Sequence, residues 1–299
     1  MKIFLSGCEP GDGLRGTLYA KPILEKREMK IFLSGCEGGM VGQSASSSQG
    51  MKYLIEQEKL KREADEDPQP IFDWNLVSYF YMRKSADWGK IIRDYSKEIL
   101  VDSGAFSFIG KSDGKGIDFD KYVDEYCEFI RDFDRPNVIG YFEMDIGCIV
   151  GYDKVQEYRR KLESVTDKII PVWHHYLGIP EFVNMCKQSK SRIVAITGCH
   201  NEIKDEDYIR FLKTAHQYGC KMHCLGMTNK TILNTVPFDY TDSSSWLMGP
   251  VFGRVEGHKQ KINQEFARVN RGEVCAYAYL QGMKMQKQYY EKWRKISRD

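Results

Sequence analysis

The sequence predicts an α/β protein in a single domain, a closed (β/α)8 barrel. Eight short apolar runs alternate with helix-like segments, and polar or glycine residues stand at or just past the ends of many of the runs. Near-continuous apolar runs are typical of parallel strands that are covered on both faces. In the TIM-barrel architecture the active site lies at the carboxyl ends of the strands. A doubly wound open sheet is the main alternative.

The individual elements follow from the periodicity of apolar residues. The predicted strands are 29–34, 76–81, 98–102, 138–145, 168–173, 192–197, 221–226 and 238–242. Segments with apolar residues three or four positions apart predict helices over 51–64, 85–97, 119–133, 153–165, 179–189 and 205–218. The residues expected at strand ends are Asp102, Asp145, His174, Gly198, Gly226 and Asp242.

A repeated segment marks the beginning of the chain. Met1–Glu9 recurs unchanged as Met29–Glu37, which is too local for a solenoid repeat. We therefore predict that residues 1–28 are an appendage from a duplicated start and that 29–255 form the barrel. Residues 256–299 are predicted to be a basic helical extension, since 254–299 hold 11 Lys and Arg against 5 Asp and Glu. This charge is interpreted either as a solvated helical face or as a surface for nucleic-acid backbone.

Composition narrows the class of protein. The chain has 299 residues, of which 42% are hydrophobic, and a net charge of only +2. No run approaches the roughly 18 apolar residues of a membrane span, and we read no export signal at the start. The nine cysteines are scattered and odd in number, which favours reduced thiols. We expect a cytoplasmic protein, in the host cytoplasm if the chain is viral.

Two short motifs are the strongest candidates for chemistry. They are Val101–Ser107 (VDSGAFS) and Tyr240–Trp246 (YTDSSSW), in which Asp102 and Asp242 end apolar runs and precede small residues. Small residues there would let the backbone approach a ligand closely. Two carboxylates suit the cleavage of a glycosidic bond, with one as nucleophile and the other as proton donor and acceptor. Each Asp is also interpretable as an ordinary turn or helix-cap residue.

These motifs resemble those of a known enzyme superfamily. VDSGAFS resembles the Asp-Ser-Gly-Gly-(Phe/Tyr)-Gln motif of tRNA-guanine transglycosylases. YTDSSSW is more similar to the Val-Asp-Ser-Thr-Ser-Trp signature of the branch that places 7-deazaguanines in DNA, known from phages and bacterial modification islands. The resemblance covers roughly residues 29–255. It implies a pentosyltransferase that exchanges a guanine in DNA for a free 7-deazaguanine base such as preQ0 (7-cyano-7-deazaguanine).

The resemblance also implies roles for single residues. Asp242 matches the nucleophile that forms a covalent glycosyl-enzyme, and Asp102 matches the general acid and base. Phe106 matches the aromatic residue that stacks on the base. Asp145 matches the carboxylate that reads the guanine edge, with Glu143 as its competitor. The remaining residues expected to bind substrate are Ser103, His174, Gly198 and Gly226.

Several alternatives stay open. His174 is also interpretable as a satisfied core histidine, and Trp246 is expected to be barrel packing. DNA contacts are expected from Arg254, Lys259 and Lys261, and no cofactor is required. Zinc is not expected. The candidate zinc ligands are Cys199, His200, Cys220, His223 and Cys224, which lie on adjoining predicted strands. Alternation along a strand points neighbouring side chains apart, so these residues do not converge on one ion.

The open functions are a tRNA-guanine transglycosylase, a non-catalytic nucleic-acid-binding barrel and a small-molecule glycosidase or nucleosidase. A homodimer, or partners from a modification pathway, also stay open.

Overall fold

A computed structural model describes residues 28–37, 45–61, 70–108, 116–197, 203–247 and 271–296. Outside these ranges lie residues 1–27 of the predicted appendage, Gly198, and the predicted DNA-contacting residues Arg254, Lys259 and Lys261. The backbone of Phe106 is described and its side chain is not.

The strands form one parallel sheet in which sequence neighbours pair. They are β1 (Lys30–Ser34), β2 (Phe72–Ser78), β3 (Ser96–Asp102), β4 (Val138–Phe142), β5 (Ile169–Ile170), β6 (Val172–Trp173), β7 (Ile193–Thr197), β8 (Lys221–Leu225) and β9 (Tyr240–Ser243). The order in the sheet is β5-β4-β3-β2-β1-β9-β8-β7-β6, so the first strand pairs with the last.

Pro171 explains why nine strands make an eight-stranded barrel. β5 pairs with β4 and β6 pairs with β7, and only Pro171 separates the two halves in sequence. A proline cannot donate to the ladder, but its carbonyl accepts a hydrogen bond from the Ala195 N–H at 2.9 Å. The two halves are therefore one barrel strand that closes the sheet. The prediction of a (β/α)8 barrel is confirmed, and the open sheet is excluded.

A helix follows each barrel strand and covers the outer face of the sheet. The helices are α1 (Ala45–Lys59), α2 (Tyr79–Met82), α3 (Ala86–Asp94), α4 (Phe119–Phe133), α5 (Gly147–Val150), α6 (Tyr152–Glu163), α7 (Gly178–Gln188), α8 (Tyr208–Gln217), α9 (Lys230–Thr235) and α10 (Arg271–Ile296). Among the described residues, none of these helices has the length and apolar character needed to cross a membrane.

The second strand lies at other residues than the sequence predicts. The apolar run 76–81 was expected to be a strand, whereas β2 ends at Ser78 and the next four residues form α2. Two of these residues, Tyr79 and Met82, are buried, and the Tyr79 ring stacks on that of Tyr126 of α4 at 4.8 Å between centroids. Hydrophobicity alone does not separate a buried strand from the helical turn that follows it.

The barrel interior is filled by apolar and aromatic side chains that alternate along the strands. They are Phe32, Trp74, Leu76, Leu100, Phe142, Ile170, Val172, Ile193, Ala195 and Tyr240. Because side chains alternate between the two faces of a strand, the residue two positions further along the same strand also faces inward. This parity brings the last inward residues of β2, β3 and β9 to the barrel mouth: Ser78, Asp102 and Asp242.

The described part of the predicted C-terminal extension is α10, which packs on α1 and on the outside of β1. The β1–β2 ladder pairs only Leu33 with Asn75 and Ser34 with Leu76. Closer to the amino ends of the two strands, the buried Gln286 amide donates to the Ile31 and Trp74 carbonyls, at 2.7 Å each. One side chain of α10 thus supplies the hydrogen bonds that the two strands do not give each other.

Candidate active site

Asp102 ends β3, two residues after the inward-facing Leu100. Its Oδ2 accepts a hydrogen bond from the Gly104 N–H at 3.0 Å. Burial of the carboxyl, together with the negative charges of Asp145 and Asp242, raises the pKa of Asp102 to about 7. At neutral pH this carboxyl therefore exists in both protonated and ionised forms. A group with this property is suited to give and take a proton.

Gly104 is required by packing at the end of the DSG motif. Its φ is +75°, a conformation that favours glycine, and a Cβ there would lie 2.2 Å from the Phe80 Cβ. The sequence predicts that the small residues of this motif leave room for a ligand. At this position the room is taken by Phe80 of α2.

Asp242 lies on β9, two residues after the inward-facing Tyr240. Its Oδ1 accepts a hydrogen bond from the Gly226 N–H at 2.8 Å and lies 3.0 Å from the His223 Nε2. Gly226 has φ of +63°, which suits glycine, and this turn after β8 aims its N–H at the carboxylate. Asp242 is thus held in place from the neighbouring strand, with Oδ2 outside these contacts.

The sequence analysis named His223 only among candidate zinc ligands and missed its place beside Asp242. It is fully buried in the barrel interior, and its ring packs against those of Phe142 and Phe32. A histidine nitrogen that carries a hydrogen can donate to a carboxylate at this distance. The other ring nitrogen, Nδ1, is buried and has no partner among the described residues. Period-two alternation along β8 was the signal that would have placed His223 inside the barrel.

The two acids after β4 have different surroundings. Both Glu143 oxygens bind the Arg159 guanidinium, at 2.6 and 3.0 Å, and Oε1 also accepts from the Val172 N–H at 2.6 Å. Glu143 is 1% exposed. The Asp145 side chain keeps 25% of its surface exposed. Of the two candidates for binding a base edge, the geometry favours Asp145, because both Glu143 oxygens are already bound in a buried ion pair with Arg159.

His174 lies beside Asp145 at the mouth. Its Nε2 is 2.6 Å from the Asp145 Oδ1, and the side chain is 23% exposed. The ring of Tyr176 lies nearly parallel to that of His174, with centroids 5.8 Å apart. His174 is therefore a rim residue with a carboxylate partner, and the interpretation as a core histidine does not fit its exposure.

Two more residues named from the sequence, Ser103 and Trp246, make internal contacts. Ser103 is fully buried, and its carbonyl accepts a hydrogen bond from the Tyr122 hydroxyl at 2.7 Å, so its described contacts are internal. Trp246 donates from its indole N–H to the Ser34 carbonyl at 2.9 Å and packs edge-on against Tyr279, in agreement with a packing role. The predictions for the Phe106 side chain and for Gly198 lie outside the described residues.

Glu37 is a second group that the sequence reasoning missed. It follows β1 at the mouth, is 8% exposed, and its Oε1 accepts from the Ser78 N–H at 3.0 Å. Ser78 is the register partner of Asp102 on the neighbouring strand. Burial, with a smaller contribution from the charge of Asp102, raises the pKa of Glu37 to about 8. An acid at the end of an apolar run was the available signal, the same one that identified Asp102.

Glu37→Gln is expected to change how stability depends on pH. The raised pKa means that folded protein keeps the Glu37 proton between about pH 4.5 and about pH 8, whereas unfolded chain has lost it. In the wild type this contribution to the free energy of unfolding falls as pH rises through that window. The variant lacks this contribution. Its stability relative to wild type should increase from about pH 5 to about pH 9, by an amount on the order of a few kcal/mol.

Urea unfolding at the two pH values measures this difference. Glu128→Gln, on the exposed face of α4, is the matched control and should show no such trend. Equal pH dependence of Glu37→Gln and wild type would contradict a protonated Glu37.

Within the described ranges, no group of three or more His, Cys, Asp or Glu side chains is arranged to hold a metal ion. Of the rival zinc cluster, Cys220 donates from Sγ to the Cys186 carbonyl at 3.1 Å, and Cys224 is buried. Cys199 and His200 lie outside the described residues.

The barrel mouth thus brings together four carboxyl groups from different loops and strands: Glu37, Asp102, Asp145 and Asp242. Comparisons with known proteins add no assignment to this geometry. A scan against models of protein families found no match, and a search of curated proteins found none.

Proposed function

We propose that the protein is a guanine transglycosylase that exchanges a guanine in DNA for a 7-deazaguanine base. The observation that carries the proposal is the difference between two carboxyl groups at one barrel mouth. Asp102 has a pKa near neutrality, and Asp242 is fixed by a backbone N–H and a histidine. A carboxyl group that gives and takes a proton, beside a second carboxyl group that attacks the sugar, is the arrangement used to cleave glycosidic bonds through a covalent intermediate.

The first half of the reaction removes guanine. The Asp242 carboxylate attacks C1′ of the target nucleotide, the C1′–N9 bond breaks, and its electron pair leaves with the base. The departing base takes the proton of the Asp102 carboxyl group. The sugar is then held as an ester of Asp242, and Asp102 is ionised.

The second half inserts the new base. The Asp102 carboxylate takes the N9 proton of the incoming 7-deazaguanine, whose N9 then attacks C1′. The ester bond to Asp242 breaks and both carboxyl groups return to their starting states. One glycosidic bond is exchanged for another, so the cycle consumes no external energy source.

The substrate class is supported by the place of the site and by the sequence motifs. Large side chains fill the barrel below the mouth, so a base within a duplex must leave its stack to reach Asp102 and Asp242. Asp145, open at the mouth, is the described carboxylate suited to accept from the N–H groups of a guanine edge. The choice of DNA over tRNA rests on the YTDSSSW motif.

Incorporation of labelled base tests the proposal. The purified chain is incubated with radiolabelled guanine and with single-stranded DNA, duplex DNA or tRNA. We expect label in DNA and a protein–DNA adduct that survives denaturation. Asp124→Asn, an exposed acid that pairs with Lys161 on the outer helices, should retain both. Label in tRNA alone would establish the tRNA enzyme instead. No label in any nucleic acid and no adduct would overturn the proposed activity.

A further inference from the structure

Among the described residues, Arg83 is a cation that lies against the aromatic side chains next to the Asp102 motif. Arg83 follows α2 directly and its side chain is exposed. Its guanidinium carbon lies 5.0 Å from the centre of the Phe80 ring and 5.3 Å from that of Tyr122. Both distances are within the range of cation–π attraction.

The two rings connect Arg83 to the residues that follow Asp102. The Phe80 Cβ occupies the space beside Gly104, and the Tyr122 hydroxyl donates to the Ser103 carbonyl. Arg83 is therefore one side chain removed from Ser103 and Gly104, the two residues that follow Asp102, and its own side chain is exposed. Across the described ranges, no carboxylate is within ion-pair distance of its guanidinium.

The position of Arg83 matters because the barrel mouth is rich in acidic groups. Asp102, Asp145 and Asp242 lie close enough for their charges to interact, and such a cluster repels the phosphates of a polynucleotide. A flipped nucleotide enters with its base and sugar, while its phosphates must stay outside the carboxylates. An exposed arginine at the rim gives one of these phosphates a binding partner of opposite charge.

We propose that Arg83 binds a backbone phosphate next to the target nucleotide and so sets how deeply the sugar enters the mouth. This inference rests on the proposed function and names a residue for its polynucleotide substrate. The planar guanidinium matches phosphate oxygens in a two-point contact, and the rings restrict its motion before binding. Less conformational entropy is then lost when the phosphate binds.

Arg83→Gln tests this assignment through salt dependence. Binding of fluorescein-labelled single-stranded DNA that contains guanine is followed by anisotropy over a series of salt concentrations. Loss of one phosphate contact should weaken binding about tenfold and make the plot of log affinity against log salt shallower by about 0.7. In exchange assays, KM for DNA should rise while KM for the free base stays unchanged.

Two other variants separate this role from a structural one. Lys52→Gln removes a cation that also lies over an aromatic ring, at 5.2 Å from the Trp88 centre, but on the outer helix α1. It should keep the wild-type affinity and salt dependence. Arg83→Lys keeps the charge and loses the two-point contact, so it should weaken binding with little change of the salt dependence.

The outcomes distinguish this inference from the proposed activity. If Arg83→Gln binds DNA as wild type does while exchange persists, the assignment of Arg83 is wrong and the transglycosylase stands. Should the wild type bind DNA through Arg83 without exchanging bases, the activity is overturned and the phosphate contact stands. A wild type that neither exchanges bases nor binds polynucleotide overturns both.

Discussion

Asp242→Asn is expected to lower the rate of base exchange by about 10⁴-fold or more and to abolish the covalent adduct with DNA. An amide oxygen is a very weak nucleophile towards C1′, whereas it still accepts the hydrogen bond that Gly226 donates to Oδ1. The fold should therefore survive the substitution. The measurement is incorporation of labelled base, together with a denaturing gel for the adduct.

Two further results make the Asp242 experiment decisive. Thermal unfolding should show that the variant is folded, and DNA binding should stay near the wild-type affinity. Because the charge of Asp242 raises the pKa of Asp102, the variant should also titrate Asp102 at lower pH than wild type. An adduct that persists in Asp242→Asn would show that another residue is the nucleophile.

Asp102→Asn is expected to lower exchange by about 10²- to 10⁴-fold, the range typical of lost general acid–base catalysis. Wild-type expulsion of guanine needs the protonated carboxyl and should slow as pH rises through about 7. The return step needs the carboxylate and should slow as pH falls through about the same value. Single-turnover release of guanine isolates the first step, and the variant should lose its pH dependence near neutrality.

Asp145→Asn provides the comparison for the proton transfer. This substitution removes the Asp145 charge, which raises the pKa of Asp102. The pH dependence of guanine release should therefore still be present but should shift to lower pH. If Asp102→Asn kept the wild-type pH dependence of guanine release, Asp102 would not be the proton donor.

Much of the fold was predictable because parallel barrel strands are covered on both faces. Their near-continuous apolar runs made all eight visible in the sequence, including the run that Pro171 divides into β5 and β6. The second strand was misplaced because α2 is as apolar as a strand and buries Tyr79 against aromatic residues of α4. Local hydrophobicity reports burial and not which backbone conformation is buried.

The candidate site was predictable only where a position at a strand end is enough to place a side chain at the barrel mouth. That rule identified Asp102, Asp145 and Asp242. It did not identify His223, since a histidine inside a strand becomes informative only when β9 brings Asp242 beside it. Nor did it separate Asp145 from Glu143, whose buried partner Arg159 lies on the following helix.

The contact of Gln286 with the first barrel strand has a consequence for how the chain folds. The amide and the Ile31 carbonyl are 255 residues apart in sequence, and the pairing of β1 with β9 is almost as distant. Contacts of such long range form late and slow the folding of a domain. During synthesis the early strands must wait for the final helix to leave the ribosome, with their edges exposed to aggregation meanwhile.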